Sequence, residues 1–268
     1  MLRFLSIGSG SSGNCYLLTD GDCGLMIDAG VGPRTIKKTL KERGFSLAQV
    51  DAILVSHDHT DHIKSLGHIA NDANIPVYTT QRVHEGIQKS YCMTTKLNKE
   101  CVHFIEKGET KQIGTFMVTP FEVPHDSTDN VGYKIVDSNG AVFCLMTDIG
   151  HVTPVIEQHI AEANYLVIEA NFDAAMLKMG PYPQYLKDRI AGLNGHLSNK
   201  ETAAALVKKY HDGLKHVWLC HLSEENNHPE LCRKTIETEL LNAGIYPDSS
   251  MKFEVLKRKV PSEIFELL

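Results

Sequence analysis

The chain has 268 residues, 42% of them hydrophobic and 22% charged, which suits a globular protein with a full core and excludes a disordered or low-complexity polymer. A net charge of −6 argues against a globally basic nucleic-acid binder, although two bound divalent cations would bring it to −2. No apolar run approaches the ~20 residues of a membrane span, so no membrane partner is expected.

The elements follow in chain order. "RFLSIGS" predicts an opening strand, and "CYLLTD" with "CGLMIDAG" predicts a hairpin around Asp20-Gly21. The start lacks a basic stretch followed by an apolar one, so a cytoplasmic protein is expected. Pro33 opens a helix that ends near Gly44. "DAILVS" is a buried strand, followed by a helix over about 62–72, a short strand "IPVYTT" and a helix over 80–90. "TFMVTPFEV", "GYKIVD" and "AVFCLMTD" are strands, the last two joined at Ser138-Asn139-Gly140.

Residues 153–162 predict a helix, "YLVIEAN" a strand, and 172–192 a helical region punctuated by Gly and Pro. Ser198 and Glu201 form a capping box for a helix over 198–211. "HVWLCH" is a strand, 228–243 a helix and "FEVLK" a closing strand. The chain divides near residue 140 into two halves that each mix strands and helices. This pattern predicts an α/β fold, an αββα sandwich of two mixed sheets within one domain spanning 1–268. Seven cysteines, without a CxxC pair and several inside apolar runs, read as reduced, mostly buried thiols rather than metal ligands.

Chemistry gathers at strand ends. "SHDHTDH" places His57, His59, Asp61 and His62 directly after "DAILV". His125, Asp148, Glu169 and His221 each end or follow a predicted strand, as Asp28 follows "LMI". Strand C-termini are where α/β folds commonly build sites. Two sets of histidines with carboxylates suit two divalent cations, with Asp148 placed to bridge them. Zinc and manganese fit such donors, and so does iron. Asp58 reads as a structural hydrogen-bonder beside them. The Gly/Ser stretch "GSGSSGN" offers Ser9, Ser11, Ser12 and Asn14 to phosphate oxygens, and Lys187 and Arg189 could reach a phosphate backbone.

"HDHTDH", followed in order by a lone His, an Asp and a final His, resembles the metallo-β-lactamase superfamily along essentially the whole chain. The resemblance implies that His57, His59 and His125 hold one metal and that Asp61, His62 and His221 hold the other. Asp148 is then shared, and Asp28 in "IDAG" orients the site through hydrogen bonds. "GSGSSGN", "GHLSNKETA" and "HLSEENN" are similar to the YycJ/WalJ exonucleases, relatives of RNase J and tRNase Z. In those nucleases groups matching Glu169 and His196 assist phosphoryl transfer. Only positions 149 to 195, 47 residues, separate Asp148 from His196, too few for the large β-CASP insertion of RNase J. An obvious exosite arm of the tRNase Z type is not found either.

The resemblance therefore implies a di-metal phosphodiesterase, a 5′ to 3′ exonuclease acting on DNA more readily than RNA, with a hydroxide between the metals as nucleophile. Asp61, Glu169 and His196 would serve catalysis. Hydrolysis of a small ester, thioester or lactone, as in proteins resembling glyoxalase II, uses the same ligands. Those enzymes usually carry a C-terminal substrate-binding segment and lack the Glu169/His196 pair. A metal-binding scaffold without turnover is the third reading.

Overall fold

Alternating apolar residues that bury both faces of a strand require a layer on each side. In "VFCLM", Phe143 and Leu145 enter one core, while Cys144 and Met146 enter another. "YLVI" and "HVWLC" repeat this split, with Val167 and Trp218 on the first side and Ile168 and Leu219 on the second. The computed structural model, which describes residues 1–267, shows what satisfies both faces.

One sheet holds β1 (Leu2–Gly8), β2 (Cys15–Thr19), β3 (Gly24–Ile27), β4 (Ala52–Leu54), β5 (Val77–Thr79) and β6 (Val102–Phe104) in that order. The other runs from β7 (Lys111–Ile113) through β8 (Phe116–Glu122), β9 (Val131–Val136), β10 (Val142–Met146), β11 (Tyr165–Glu169) and β12 (His216–Cys220) to β13 (Lys252–Val255). A last strand, β14 (Phe265–Leu267), pairs antiparallel with β1 and so returns to the first sheet. The sheets face each other across Phe4, Tyr16, Phe116, Tyr133, Phe143 and Trp218. Outside the first sheet pack α1 (Pro33–Glu42), α2 (Thr60–Ile63), α3 (Leu66–Ala73) and α4 (Gln81–Lys89). Outside the second lie α5 (Pro154–Glu162), α8 (Asn199–Lys209) and α9 (Pro229–Asn242), while α6 (Ala174–Met179) and α7 (Gln184–Ile190) lie between β11 and α8 in the chain. This is the expected αββα sandwich.

Strand direction positions the site. β3, β4 and β5 are mutually parallel, as are β10, β11, β12 and β13. β1 runs with β3, because each is antiparallel to β2, and β8 runs with β10, because each is antiparallel to β9. Within each sheet these C-terminal ends therefore share one edge. Tyr133 Oη donates to Val55 O at 2.7 Å, and Val131 N donates to Ser56 O at 3.0 Å, tying the two edges together.

Several expectations need correction. The chain changes sheets between β6 and β7, near residues 105–110 rather than 140. "FEVLK" forms β13 but does not close the fold, because β14 follows and crosses back. The helix expected over 62–72 is two helices, broken at Lys64-Ser65 where Ser65 N donates to Ala29 O instead of extending α2. The region 172–192, expected as helical and punctuated by Gly and Pro, forms α6 and α7 on either side of Gly180 to Pro183. The seven cysteines are free, and all but Cys92 are buried.

Candidate metal centre

The "IDAG" turn after β3 buries Asp28 completely, in a left-handed backbone conformation (φ 59°). Asp28 Oδ1 accepts from Ser56 N at 2.8 Å, and its Oδ2 lies 2.7 Å from His62 Nδ1. Ser56 Oγ reaches both Asp28 oxygens and also His57 Nδ1 at 3.0 Å. One carboxylate and one hydroxyl thus fix two imidazoles through Nδ1 and leave each Nε2 pointing inward. His57 Nε2 is buried and meets no hydrogen-bond partner. An unpaired nitrogen at that depth costs free energy unless something accepts its lone pair, which is what a cation would do.

His59 and His125 complete the first group. His125 donates from Nδ1 to Gly195 O at 2.9 Å, which turns its Nε2 to within 3.3 Å of His59 Nδ1. The candidate ligand atoms of His57, His59 and His125 all lie within 4.8 Å of one another. Burial holds the His57 and His125 imidazoles below their ordinary pKa. At His57 the neighbouring imidazoles add to this and outweigh Asp148, and at His125 burial prevails over the upward pull of Asp148, so both rings favour the neutral form that binds a metal.

The second group contains Asp61, His62 and His221. His221 Nε2 stands 3.2 Å from Asp61 Oδ2, and His62 Nε2 3.5 Å from the same oxygen. Asp148 joins the groups: its Oδ2 is 3.2 Å from His62 Nε2 and its Oδ1 3.7 Å from His125 Nε2. Burial would lower the His221 pKa, but Asp148, Asp61 and Glu169 push it up to about 10. His62 is raised by Asp28, Asp148 and Asp61 in the same way, against burial. For Asp148, burial works upward but is outweighed by His221 and His62, which hold it well below the usual carboxylate range. Four carboxylates inside or beside this cluster thus draw positive charge to it.

Glu169 ends β11 fully buried. Its Oε2 accepts from Ile149 N at 2.8 Å and Leu197 N at 3.1 Å. Its Oε1 meets His196 Nδ1 at 2.8 Å and His221 Nδ1 at 3.1 Å. Burial pulls the His196 pKa down, but the charge and hydrogen bond of Glu169 prevail and raise it. The expected pair therefore forms, and it is built into the same cluster rather than beside it.

Asp148 and His221 also have left-handed backbones (φ 56° and 53°), which cost about 1–3 kcal/mol each unless neighbours hold them. Asn130 Nδ2 donates to Asp148 O at 3.0 Å, and Asn171 Nδ2 to His221 O at 2.9 Å. Ser9 Oγ accepts from His221 N at 3.0 Å. Asn14, also buried, spends its amide on Gly10, Asp61 and His62. Ser9 and Asn14 therefore face inward and brace the cluster instead of presenting themselves to a phosphate, and only Ser11 and Ser12 of that stretch are exposed. Asp58 accepts from Thr128 N and Oγ1, as a structural hydrogen-bonder would.

Arg189 lies beside the cluster, with Nε on Asp126 Oδ2 at 2.5 Å. Asp126 Oδ1 is 3.4 Å from His125 Nε2. Lys187 points away, its Nζ donating to Lys178 O. Sequence reasoning missed Ser56, Asn130 and Asn171. Ser56 and Asn171 stand next to or near cluster residues in the sequence, but only the fold shows their hydrogen bonds.

A family model described as "Beta-lactamase superfamily domain" matches residues 25–221. The chain belongs to the metallo-β-lactamase superfamily. Superfamily membership implies divalent metal binding, and the donor sets fit it: imidazole nitrogens and carboxylate oxygens, without thiolate. The chain is 31% identical over 263 residues to exodeoxyribonuclease YycJ of Bacillus anthracis, covering 98% of both proteins. It is 32% identical to exodeoxyribonuclease WalJ of Streptococcus pneumoniae, covering 91% of this chain and 90% of that one. The solved structure of the metallo-β-lactamase fold protein YhfI from Bacillus subtilis superimposes with a TM-score of 0.71 at 19% identity, covering 98% of this chain and 100% of that one. Among the described residues, no helix is long and apolar enough to cross a membrane.

Proposed function

We propose that the protein is a di-metal phosphodiesterase that shortens DNA from its 5′ end. The observation that carries this is the meeting of two donor groups at Asp148 with the Glu169–His196 pair against them. Full-length similarity to two proteins named exodeoxyribonucleases supports the polymer substrate. His57, His59 and His125 would hold one ion, and Asp61, His62 and His221 the other, with Asp148 between them. Zinc or manganese suits these donors, and iron is compatible. Such a pair of ions supplies a water acidified to near-neutral pKa and positive charge at the phosphoryl oxygens.

The chain's own residues do the rest. Asp28 and Ser56 fix the His57 and His62 tautomers by occupying Nδ1. Glu169 occupies His196 Nδ1, so that Nε2 is the atom left to meet the substrate. A His196 imidazole held protonated donates its proton to the departing 3′-oxygen. Arg189, one carboxylate removed from His125, is the cation placed to meet a neighbouring phosphate.

The test is gel-resolved digestion of 5′- and 3′-labelled DNA and RNA by chelated protein with zinc or manganese added back. Stepwise loss from the 5′ end of DNA, restored by metal and absent in His59→Ala, is the expected result. If metal-loaded protein left every polymer intact, the reading would be wrong.

A further inference from the structure

We propose that the arm from Met179 to Leu193 grips an unpaired DNA strand at the metal centre, with Tyr185 stacking on a base and Arg189 meeting the adjacent phosphate. This rests on the phosphodiesterase reading above and names what holds its substrate.

Among the described residues, this arm carries an α-helix unlike the others. α7 buries no residue, although a helix of seven residues does not hold itself together in water without packing. Eleven large apolar side chains are exposed among the described residues, and three of them, Met179 (82%), Tyr185 (74%) and Leu193 (74%), fall in these fifteen positions. A short segment that leaves three such side chains open is a candidate binding surface.

Its placement selects the occupant. Tyr185 and Arg189 are four residues apart on α7, so both project from one face, about 6 Å apart along the helix axis. Gln184 and Asp188, the exposed pair of the neighbouring row, satisfy each other at 2.8 Å. Arg189 is anchored through Nε alone, and no acceptor among the described residues meets its Nη1 or Nη2. Those two donors remain for an anion, and the anchoring Asp126 touches His125 of the metal centre. At the other end of the arm, Leu193 O accepts from His151 Nδ1 at 2.8 Å, and Gly195 O holds His125. A Cβ on Gly150 would stand 2.2 Å from Leu193 O, so the arm is pressed against the loop that carries Asp148.

An aromatic face and an open guanidinium on one helix face, next to phosphodiester chemistry, match how proteins hold single strands: bases stack and phosphates pair with cations. A peptide or a lipid surface would not account for the link from Arg189 through Asp126 to the metal centre.

The experiment measures kcat/KM of manganese-loaded protein on a single-stranded oligothymidylate and on an abasic oligonucleotide of the same length, which has no bases to stack. The ratio of the two is expected to fall about tenfold in Tyr185→Ala and to recover in Tyr185→Trp. Tyr91→Ala removes another exposed ring (96%), outside the arm, and is expected to keep the wild-type ratio. Arg189→Ala is expected to reduce the slope of log Kd against log salt for the oligothymidylate by about 0.7, one phosphate contact. An unchanged ratio in Tyr185→Ala, with wild type active on the oligothymidylate, overturns the arm and leaves the nuclease reading standing. An unchanged salt slope in Arg189→Ala overturns the phosphate contact. Wild-type protein that hydrolyses no oligonucleotide overturns both.

Discussion

His59 and His196 belong to one cluster, yet replacing each with alanine has a different expected result. His59 offers Nδ1 to the first donor group, so His59→Ala should lose bound metal and activity together. His196 is held by Glu169 and donates a proton in the proposed chemistry, so His196→Ala should keep its metal and turn over about 100- to 10,000-fold more slowly. Metal analysis beside single-turnover rates separates the two. Full rate in His196→Ala would refute the proton-donor role. Ser56 touches Asp28, His57 and His62, and Ser56→Ala should weaken metal binding about 10- to 100-fold.

Protons compete for the same nitrogens. The His221 pKa is pushed up to about 10, so near neutral pH a metal must displace a proton there, and His62 is raised in the same direction. Binding that releases protons strengthens as pH rises, by about tenfold per pH unit for each proton. A metal Kd that stayed flat from about pH 6 to about pH 8 would contradict this. The residues of the two donor groups could be picked out in the sequence because each is a metal-capable residue at or just after a strand end, in family order; that they hold metal is the proposal. Ser9 and Asn14 were misjudged because their partners, His221 and Asp61, are 212 and 47 positions away in sequence.

At the scale of elements, the short turn "IDAG" and the four-residue helix α2 depend on close approach. A Cβ on Gly30 would sit 1.6 Å from Asp61 O, a backbone atom that cannot swing aside. Gly30→Ala should therefore push α2 outward, destabilise the fold by about 1–3 kcal/mol and reduce metal content. Urea unfolding and metal analysis of the purified variant check both, and full metal occupancy would contradict the close-approach argument. The strands with clear apolar or alternating runs, β8 through β12, were legible. β6 ("VHF"), β7 ("KQI") and β14 ("FEL") were not, because each mixes polar and apolar residues over only three positions, whereas the equally short β4 and β5 lie within the runs "DAILVS" and "IPVYTT". The break within 62–72 was not, because it follows a tertiary hydrogen bond from Ser65 N to Ala29 O that overrides a helical pattern.

At the scale of the molecule, the two-sheet architecture was legible from two stretches of chain that each mix strands with separated helices. The sheet crossing near 105–110 and the return of β14 were not, since strand order is decided by contacts far apart in sequence. The candidate metal centre lies where the sheets' C-terminal edges meet, so ions bound there should tie the halves of the sandwich together. Ions at about 1,000 times their Kd add about 4 kcal/mol. For a chain of this size, chelation should then lower the melting temperature by on the order of 10 °C. Scanning calorimetry with and without chelator reads this directly, and an unchanged midpoint would mean that the ions do not bridge the sheets.

The most direct measurement titrates chelated protein with manganese while following bound metal and DNA hydrolysis in the same samples. The account predicts that hydrolysis rises with metal and saturates at two ions per chain, and that His59→Ala neither fills both sites nor gains activity. Hydrolysis that is complete with one ion, or that proceeds in the chelated protein, would contradict it.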